Sequence, residues 1–233
     1  MLAEELCAVM VRLHQRGWCE GSGGNFSCVL QRDPLLLLMA PSGVDKGSVV
    51  PEQLLLVDGE GMVVQGQGKA SAETLLHLEI VRRTKAGAVL HTHSQAATLL
   101  SALEAPAVSD DAAREGVDVD AGWDGNGEVG HVEHQGLEML KGLRGNHTHE
   151  TRVRVPVLAN DQNLRHLSER AAPHLQTAPH GLLIAGHGLY AWGADLSEAL
   201  RHTEIHEFLL EQNWRLRLLT AVRHSGPQGD CRR

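Results

Sequence analysis

Short apolar segments of strand length alternate with amphipathic segments of helix length along this chain, and this alternation restricts the fold more than any other feature. Gly, Pro, Asn or Asp residues bound many of the strand-like segments, as they do at strand ends in globular proteins. The mixture predicts a layered α/β domain. The predicted strands are 26–30, 35–40, 54–57, 62–64, 88–90, 153–158, 182–185 and 189–192, with a hairpin at 58–61, and the predicted helices are 2–16, 71–84, 94–104, 137–143, 161–176 and 196–222.

Polar residues and glycines mark where several of these helices begin and end. Ser71 and Ser94 are predicted to cap the helices that follow them, and Asp195 with Glu198 is predicted to form a capping box. Gly87 is predicted to end the helix that begins at Ser71.

The length of 233 residues allows one sizeable core, and no linker divides the chain. We therefore expect a single domain over residues 1–223. Residues 105–130 are acidic and contain several glycines, which predicts an exposed loop insertion. Residues 224–233 are expected to form a disordered tail.

Charge and composition exclude some classes of partner. The formal net charge of −8 argues against a general nucleic-acid-binding protein, which needs a basic face. No segment approaches the ~18–20 apolar residues of a membrane span. Glu4 and Glu5 stand where a signal peptide would carry positive charge, and the cysteines form no CxxC pair. We expect a cytoplasmic protein that binds neither nucleic acid nor membrane.

His91 and His93 follow directly on an apolar strand and are separated by one residue. Alternate residues of a strand point to the same side, so these two imidazoles can face one metal ion. His187 lies between two glycines after another apolar strand, where the backbone can approach closely. Three protein ligands with an open position are typical of catalytic zinc, so the three histidines form a candidate zinc site.

Other histidine pairs have spacings that also suit a metal. His147 and His149 are separated by one residue but follow no apolar segment, and His202 and His206 are four residues apart on a predicted helix. Spacing alone therefore favours His91 and His93 only by a small margin.

Two further segments could bind an anion. The glycine-rich segment Gly21–Asn25 precedes a predicted strand and can offer a nest of backbone N–H groups, although a simple tight turn explains it equally. Ser71 at a helix start could hold a phosphate or simply cap the helix. Glu73 could act as a general base or complement the helix dipole.

The order of these motifs resembles that of the class II aldolase/adducin family over residues 5–215. The motifs are Gly17-Trp-x-x-Gly-Ser-x-Gly-Asn-x-Ser27, Pro41-Ser-Gly43, Ser71-Ala-Glu73, His91-Thr-His93 and Gly186-His-Gly188. The resemblance implies a three-layer α/β/α domain around a mainly antiparallel sheet. It also implies a homotetramer whose metal site lies near a subunit interface. Residues 105–130 depart from the family pattern because they are longer and more acidic.

The resemblance also implies roles for individual residues. His91, His93 and His187 match zinc ligands, with one zinc ion per subunit, and the substrate would be a small sugar phosphate. The segment Glu138–Gly142 is similar to that of dehydratases in the family, so Glu138 matches a catalytic acid/base and Glu73 a second catalytic carboxylate. Aldolase or epimerase activity with Glu73 in the leading role, or a non-enzymatic scaffold, are the alternatives. The positions that match phosphate-binding residues are Asn25, Ser42, Gly43 and Ser71.

Overall fold

A nine-stranded sheet forms the centre of the molecule. The computed structural model describes residues 1–106 and 129–225. The strands lie in the order β4-β3-β2-β1-β5-β9-β8-β7-β6. Their bounds are β1 (Asn25–Arg32), β2 (Leu35–Met39), β3 (Leu55–Asp58), β4 (Val63–Gln65), β5 (Ala88–Thr92), β6 (Gly130–His134), β7 (Val153–Leu158), β8 (Gly181–Ile184) and β9 (Gly188–Gly193).

Neighbouring strands in this sheet are antiparallel, with the single exception of the parallel pair β7 and β8. The sheet is therefore mainly antiparallel, as expected. Strand β5 is central, and all five of its residues are buried. Because helices cover both faces at this point, β5 is apolar on both sides until it reaches His91.

Helices pack on both faces of the sheet and complete the predicted three layers. One face packs against α1, α3 and α5, and the other face packs against α2 and α4. Along β5, Ala88 and Leu90 belong to the first core, whereas Val89 belongs to the second. The helices are α1 (Leu2–Gln15), α2 (Thr74–Thr84), α3 (Gln95–Leu103), α4 (Leu164–Ala171) and α5 (Leu196–Ser225).

The predicted elements agree with the structure in most places and differ in three. The hairpin of β3 and β4 and the strands on either side of Gly186–Gly188 are confirmed. The predicted helix 137–143 is a 3-10 helix of five residues, Glu138–Gly142, and the predicted helix 161–176 is regular only over α4. Strand β6 was not predicted, because only Val132 is apolar in its sequence Gly-His-Val-Glu-His.

Helix ends also test the predicted caps. Ser94 accepts a hydrogen bond from the backbone N–H of Ala97, and Asp195 accepts one from the N–H of Glu198 at 2.8 Å. The prediction that Ser71 caps α2 is wrong, since Glu73 is the N-cap residue and Ser71 lies in the preceding turn. Lys85, in the left-handed conformation with φ of 59°, ends α2 before Gly87.

Two of the predicted segments lie wholly or largely outside the described residues. Most of the predicted acidic insertion, residues 107–128, is among them, and so are residues 226–233 of the predicted tail. In the part of the chain that the structure describes, every helix is too short or too polar to cross a membrane.

Three buried histidines lie where α5 packs on the sheet. His134 has no hydrogen-bond partner for either ring nitrogen within the described structure. His202 and His206 bond the carbonyl oxygens of Trp192 and Pro179 through one ring nitrogen each. Burial lowers the pKa of His134 and His202 to about 4, and that of His206 to about 3.

These histidines are expected to make the fold sensitive to acid. Their folded-state pKa values lie below the ordinary 6.5, so the unfolded chain takes up more protons as the pH falls. Their contribution to the free energy of unfolding is therefore present above pH 6.5. It is lost between pH 6.5 and about 4 for His134 and His202 and continues to fall to about pH 3 for His206, with an upper limit of roughly 1.4 kcal/mol per pKa unit and group.

Urea unfolding of the metal-free protein at several pH values between 7.5 and 4.5 measures this loss. We expect the transition midpoint to fall steadily below pH 6.5. Exposed His147 provides the control, since H147Q should leave the pH dependence unchanged. A midpoint that stays constant down to pH 4.5 would contradict the prediction.

Candidate metal and anion site

Three histidine side chains converge at one end of strands β5 and β9. The Nε2 atoms of His93 and His91 are 2.8 Å apart, and those of His91 and His187 are 3.3 Å apart. Strand β5 directs His91 and His93 to one face, as their spacing predicts. The turn between β8 and β9 brings His187 to the same point, where Thr98 Oγ1 donates a hydrogen bond of 3.1 Å to its carbonyl oxygen.

Glycines allow this turn to approach β5. Gly186 has a φ of +63°, which few side chains tolerate. A Cβ atom on Gly188 would overlap the backbone oxygen of Thr92. The Gly-His-Gly sequence therefore permits the contact that places His187 beside His91.

The arrangement of the three imidazoles fits a metal ion. Nδ1 of His91 donates to the carbonyl oxygen of Leu189 at 2.9 Å, which leaves the lone pair of Nε2 directed at the cluster. Ligand nitrogens around tetrahedral zinc are about 3.3 Å apart, because each Zn–N bond is about 2.0–2.1 Å. The distance between His91 and His187 matches this separation, and that between His91 and His93 is somewhat shorter.

Glu73 completes the cluster. Its Oε1 atom lies 2.9 Å from Nε2 of His187 and 3.6 Å from Nε2 of His91. One ligand atom from each of the four residues lies within 4.8 Å of the others. Burial alone would raise the pKa of Glu73, but the hydrogen bond from His187 and the nearby imidazole of His91 outweigh burial and hold this pKa well below its usual range. Glu73 is therefore an anion that can serve as a ligand or a base.

The ring of Tyr190 stacks on His91 from the neighbouring strand. The ring centroids are 3.9 Å apart and the planes differ by 10°. Antiparallel pairing places the two residues directly opposite each other. Tyr190 is fully buried, and burial followed by the nearby Glu73 charge raises the pKa of its hydroxyl. The stacked ring of Tyr190 and the hydrogen bond to Leu189 together orient the His91 imidazole.

The opposite face of β5 carries a second set of polar contacts. Thr92 points away from the cluster and donates a 2.5 Å hydrogen bond to Glu207 on α5. Glu207 is 2% exposed, and burial raises its pKa to about 7. Glu207 was not predicted as a site residue, because its contact with Thr92 joins residues far apart in the chain.

A small cavity of about 230 Å³ lies next to the cluster, with His93 and Glu73 in its wall. The structure thus brings together all four predicted phosphate-binding residues. Asn25 donates a short hydrogen bond to Glu73, which joins the cavity to the cluster. The remaining wall is formed by Gly21, Ser22, Gly23, Gly24, Asn25, Pro41, Ser42, Gly43, Lys46 and Ser71.

Glu138 is the one predicted site residue that lies apart from the others. Its side chain is 70% exposed at the start of the 3-10 helix. It pairs with Lys141 at 2.6 Å and with His149 at 3.8 Å, and the hydrogen bond from Lys141 lowers its pKa. Within the described residues, none of its hydrogen bonds or ion pairs reaches the histidine cluster.

The competing histidine pairs do not form a metal site. His202 uses Nδ1 to bond the carbonyl of Trp192 and accepts the N–H of Arg144 at Nε2, so both ring nitrogens are occupied. His147 and His149 are exposed. Among the described residues, only the cluster of Glu73 and the three predicted histidines groups metal-binding side chains closely enough.

A mainly antiparallel sheet between two helical layers, with a His₃Glu cluster beside an anion-sized cavity, defines an α/β/α domain built to hold a metal ion and a small ligand. The chain belongs to the family described as the class II aldolase and adducin N-terminal domain, whose family model matches residues 4–214. The resemblance inferred from the motifs is thereby confirmed.

Curated relatives cover nearly the whole chain. Methylthioribulose-1-phosphate dehydratase from Stenotrophomonas maltophilia (strain K279a) is 39% identical over 220 residues, which span 94% of this chain and 92% of the relative. The protein of the same name from Pectobacterium carotovorum subsp. carotovorum (strain PC1) is 39% identical over 224 residues, or 94% and 97% of the two chains.

Solved structures show the same fold. YgbL from Escherichia coli superposes with a TM-score of 0.70 at 27% identity, covering 92% of this chain and 89% of that one. L-Fuculose-1-phosphate aldolase from Thermus thermophilus gives a TM-score of 0.68 at 24% identity, covering 97% and 98%. The expected three-layer fold is therefore found in solved members of the structural class.

Proposed function

We propose that this protein is a zinc-dependent methylthioribulose-1-phosphate dehydratase. It would remove water from 5-methylthioribulose 1-phosphate and give 5-methylthio-2,3-dioxopentyl phosphate in methionine salvage. The observation that carries the proposal is the anion-sized cavity whose wall includes His93 and Glu73 of the metal-binding cluster. This arrangement suits a small substrate with a phosphate at one end and a reacting centre a few atoms away. The relatives named above support the choice of substrate.

His91, His93 and His187 would hold one zinc ion per subunit. Neutral imidazole nitrogens suit zinc, although iron, manganese, cobalt and nickel accept the same ligands. The bound ion would supply Lewis acidity towards the carbonyl oxygen of the substrate. Asn25, Ser42, Gly43 and Ser71 would bind the phosphate.

The reaction needs a base and an acid. The C3 proton, next to the C2 ketone, is removed, and the C4 hydroxyl accepts a proton and leaves as water. The resulting enol, with a C3–C4 double bond, takes up a proton at C4 and becomes the diketone. We assign the acid/base role to Glu138. Glu73, held as an anion inside the cluster, is the secondary catalytic carboxylate.

The exposed position of Glu138 supports an assembled site. Because Glu138 forms hydrogen bonds and ion pairs only with Lys141 and His149 among the described residues, we propose that it acts on the substrate of a neighbouring subunit in a homotetramer. Exposed apolar side chains on α3 and α5, namely Leu103, Leu216, Leu219 and Val222, are available for subunit contacts.

A cytoplasmic location is part of the same proposal. Cys7, Cys19 and Cys28 are buried free thiols, which suits a reducing compartment.

Incubation of the purified protein with 5-methylthioribulose 1-phosphate tests the proposed reaction. We expect formation of the diketone phosphate, loss of activity after treatment with a zinc chelator, and recovery when zinc is added back. Absence of the diketone with fresh, zinc-loaded protein would refute the proposal.

A sugar-phosphate aldolase or epimerase is the second candidate. The observation that favours it is the place of Glu73 within the cluster, while Glu138 lies outside the cluster of its own chain. Retro-aldol fragments from fuculose or ribulose phosphates, with no dehydration, would identify this activity. A non-enzymatic scaffold is disfavoured because all four residues of the cluster are present and in contact.

A further inference from the structure

Lys46 carries a buried charge that has no acidic partner in direct contact. Its side chain is 1% exposed. Its ammonium group donates hydrogen bonds of 2.9 Å to the carbonyl oxygens of Ser22 and Val44. Within the described residues, no carboxylate forms an ion pair with it. Lysines are almost never fully buried unless they are paired, so this position needs an explanation.

Burial of the Lys46 ammonium group is unfavourable, and its pKa reflects this. Burial lowers the pKa of Lys46, and the more distant groups Cys19, Asp45 and Glu73 compensate only in part. Asp45 is exposed and uses its carboxylate for the N–H of Gly47 and the hydroxyl of Ser48. A buried ammonium group without a carboxylate partner is stabilised electrostatically by any anion that binds beside it.

The cavity next to the metal-binding cluster is where such an anion can enter. Lys46 contributes to its wall together with the predicted phosphate-binding residues. An ammonium has three N–H bonds, and the two carbonyl contacts leave one for a ligand. The glycine-rich segment that supplies one of these carbonyls is held tightly, since a Cβ on Gly24 would meet the backbone oxygen of His91.

We propose that Lys46 is a binding residue for the phosphate monoester of the substrate, a role that the sequence analysis did not predict. The phosphate dianion would accept a hydrogen bond from the third N–H of Lys46 and neutralise the lysine charge. Asn25 and Ser71 would bind the other phosphate oxygens. Lys46 would also offset the repulsion between the phosphate and the Glu73 carboxylate in the same wall. This inference rests on the proposed function for the identity of the substrate, but phosphate binding itself can be measured independently.

Calorimetric titration of the zinc-loaded protein with inorganic phosphate provides that measurement. We expect K46M to weaken phosphate binding by about 10- to 100-fold, the usual effect of losing a hydrogen bond from a charged group. K46R, which keeps the charge, should recover part of the affinity. Lys69 is an exposed lysine in a neighbouring segment, and K69M, which removes the same charge, should bind phosphate within about twofold of the wild type.

Steady-state kinetics then separates substrate binding from folding. For a folded K46M variant we expect KM for the phosphorylated sugar to rise much more than kcat falls. Wild-type phosphate affinity in folded K46M would show that Lys46 only connects the segments of Ser22 and Val44 through its hydrogen bonds, and would overturn the proposal. Inactivity of the wild type with normal phosphate binding would instead refute the proposed dehydration and leave the role of Lys46 intact.

A measurement on the wild type covers the case in which K46M does not fold. The ammonium signal of a buried lysine can be followed by NMR in protein labelled with ¹⁵N-lysine and assigned by its loss in K46R. We expect this signal to shift on titration with inorganic phosphate. A signal that does not move at saturating phosphate would contradict the assignment.

Discussion

Replacing His91 with alanine is expected to abolish zinc binding and to reduce dehydration by at least about 1,000-fold. His91 is the central residue of the cluster, because its Nε2 atom lies within 3.3 Å of the corresponding atoms of both His93 and His187. Its removal leaves only two imidazoles and the Glu73 carboxylate at the cluster. Elemental analysis of the purified variant gives the metal content directly.

The exposed His147 provides a matched control for this variant. It belongs to the other pair with the same one-residue spacing, so H147A should retain one zinc ion per subunit. Full zinc occupancy in H91A would show that a different set of residues holds the metal. The H91A variant should remain folded, since most of the core around β5 is apolar and unchanged.

The second large effect is expected for Glu138→Gln. This change keeps the size of the side chain and removes its ability to transfer a proton, so turnover should fall about 10²- to 10⁴-fold. Zinc content and the unfolding midpoint should stay at wild-type values, because Glu138 is 70% exposed and supports no buried contact. Turnover near that of the wild type would remove Glu138 from the reaction.

Mixing the two inactive variants reveals which subunit supplies Glu138. If the residue acts across an interface, a hybrid tetramer of H91A and E138Q chains contains sites with intact histidines from one chain and Glu138 from the other. Co-expression should then restore part of the activity. Complete inactivity of verified hybrids would place Glu138 in the site of its own chain.

The sequence was sufficient for much of the fold and for the three histidines that the structure brings together. Strands such as β5 and β9 were predicted because their apolar segments are continuous. The spacing of His91 and His93 follows from the two-residue period of a strand. His187 was added because two glycines flank it after an apolar strand, and the order of motifs supported the choice. The local pattern does not reveal that a turn 96 residues further on meets His91.

The features that were missed depend on contacts between distant segments. Lys46 and Glu207 were not predicted as site residues, and only the folded chain shows that both are buried. Strand β6 has a weak apolar pattern and is a strand because it pairs with β7. Glu138 was correctly placed at the start of a helical segment, but its distance from the cluster of its own chain depends on tertiary structure.

Strand β5 has a consequence for how this enzyme can change over time. One side of the strand presents the histidines proposed to bind the metal, and on the other side Thr92 is hydrogen-bonded to Glu207 on the last helix. A substitution on α5 can therefore alter metal retention without touching a ligand or the substrate. We expect the sequence of that helix face to vary as slowly as the ligands themselves, so that adaptation to new substrates proceeds through the loops around the cavity.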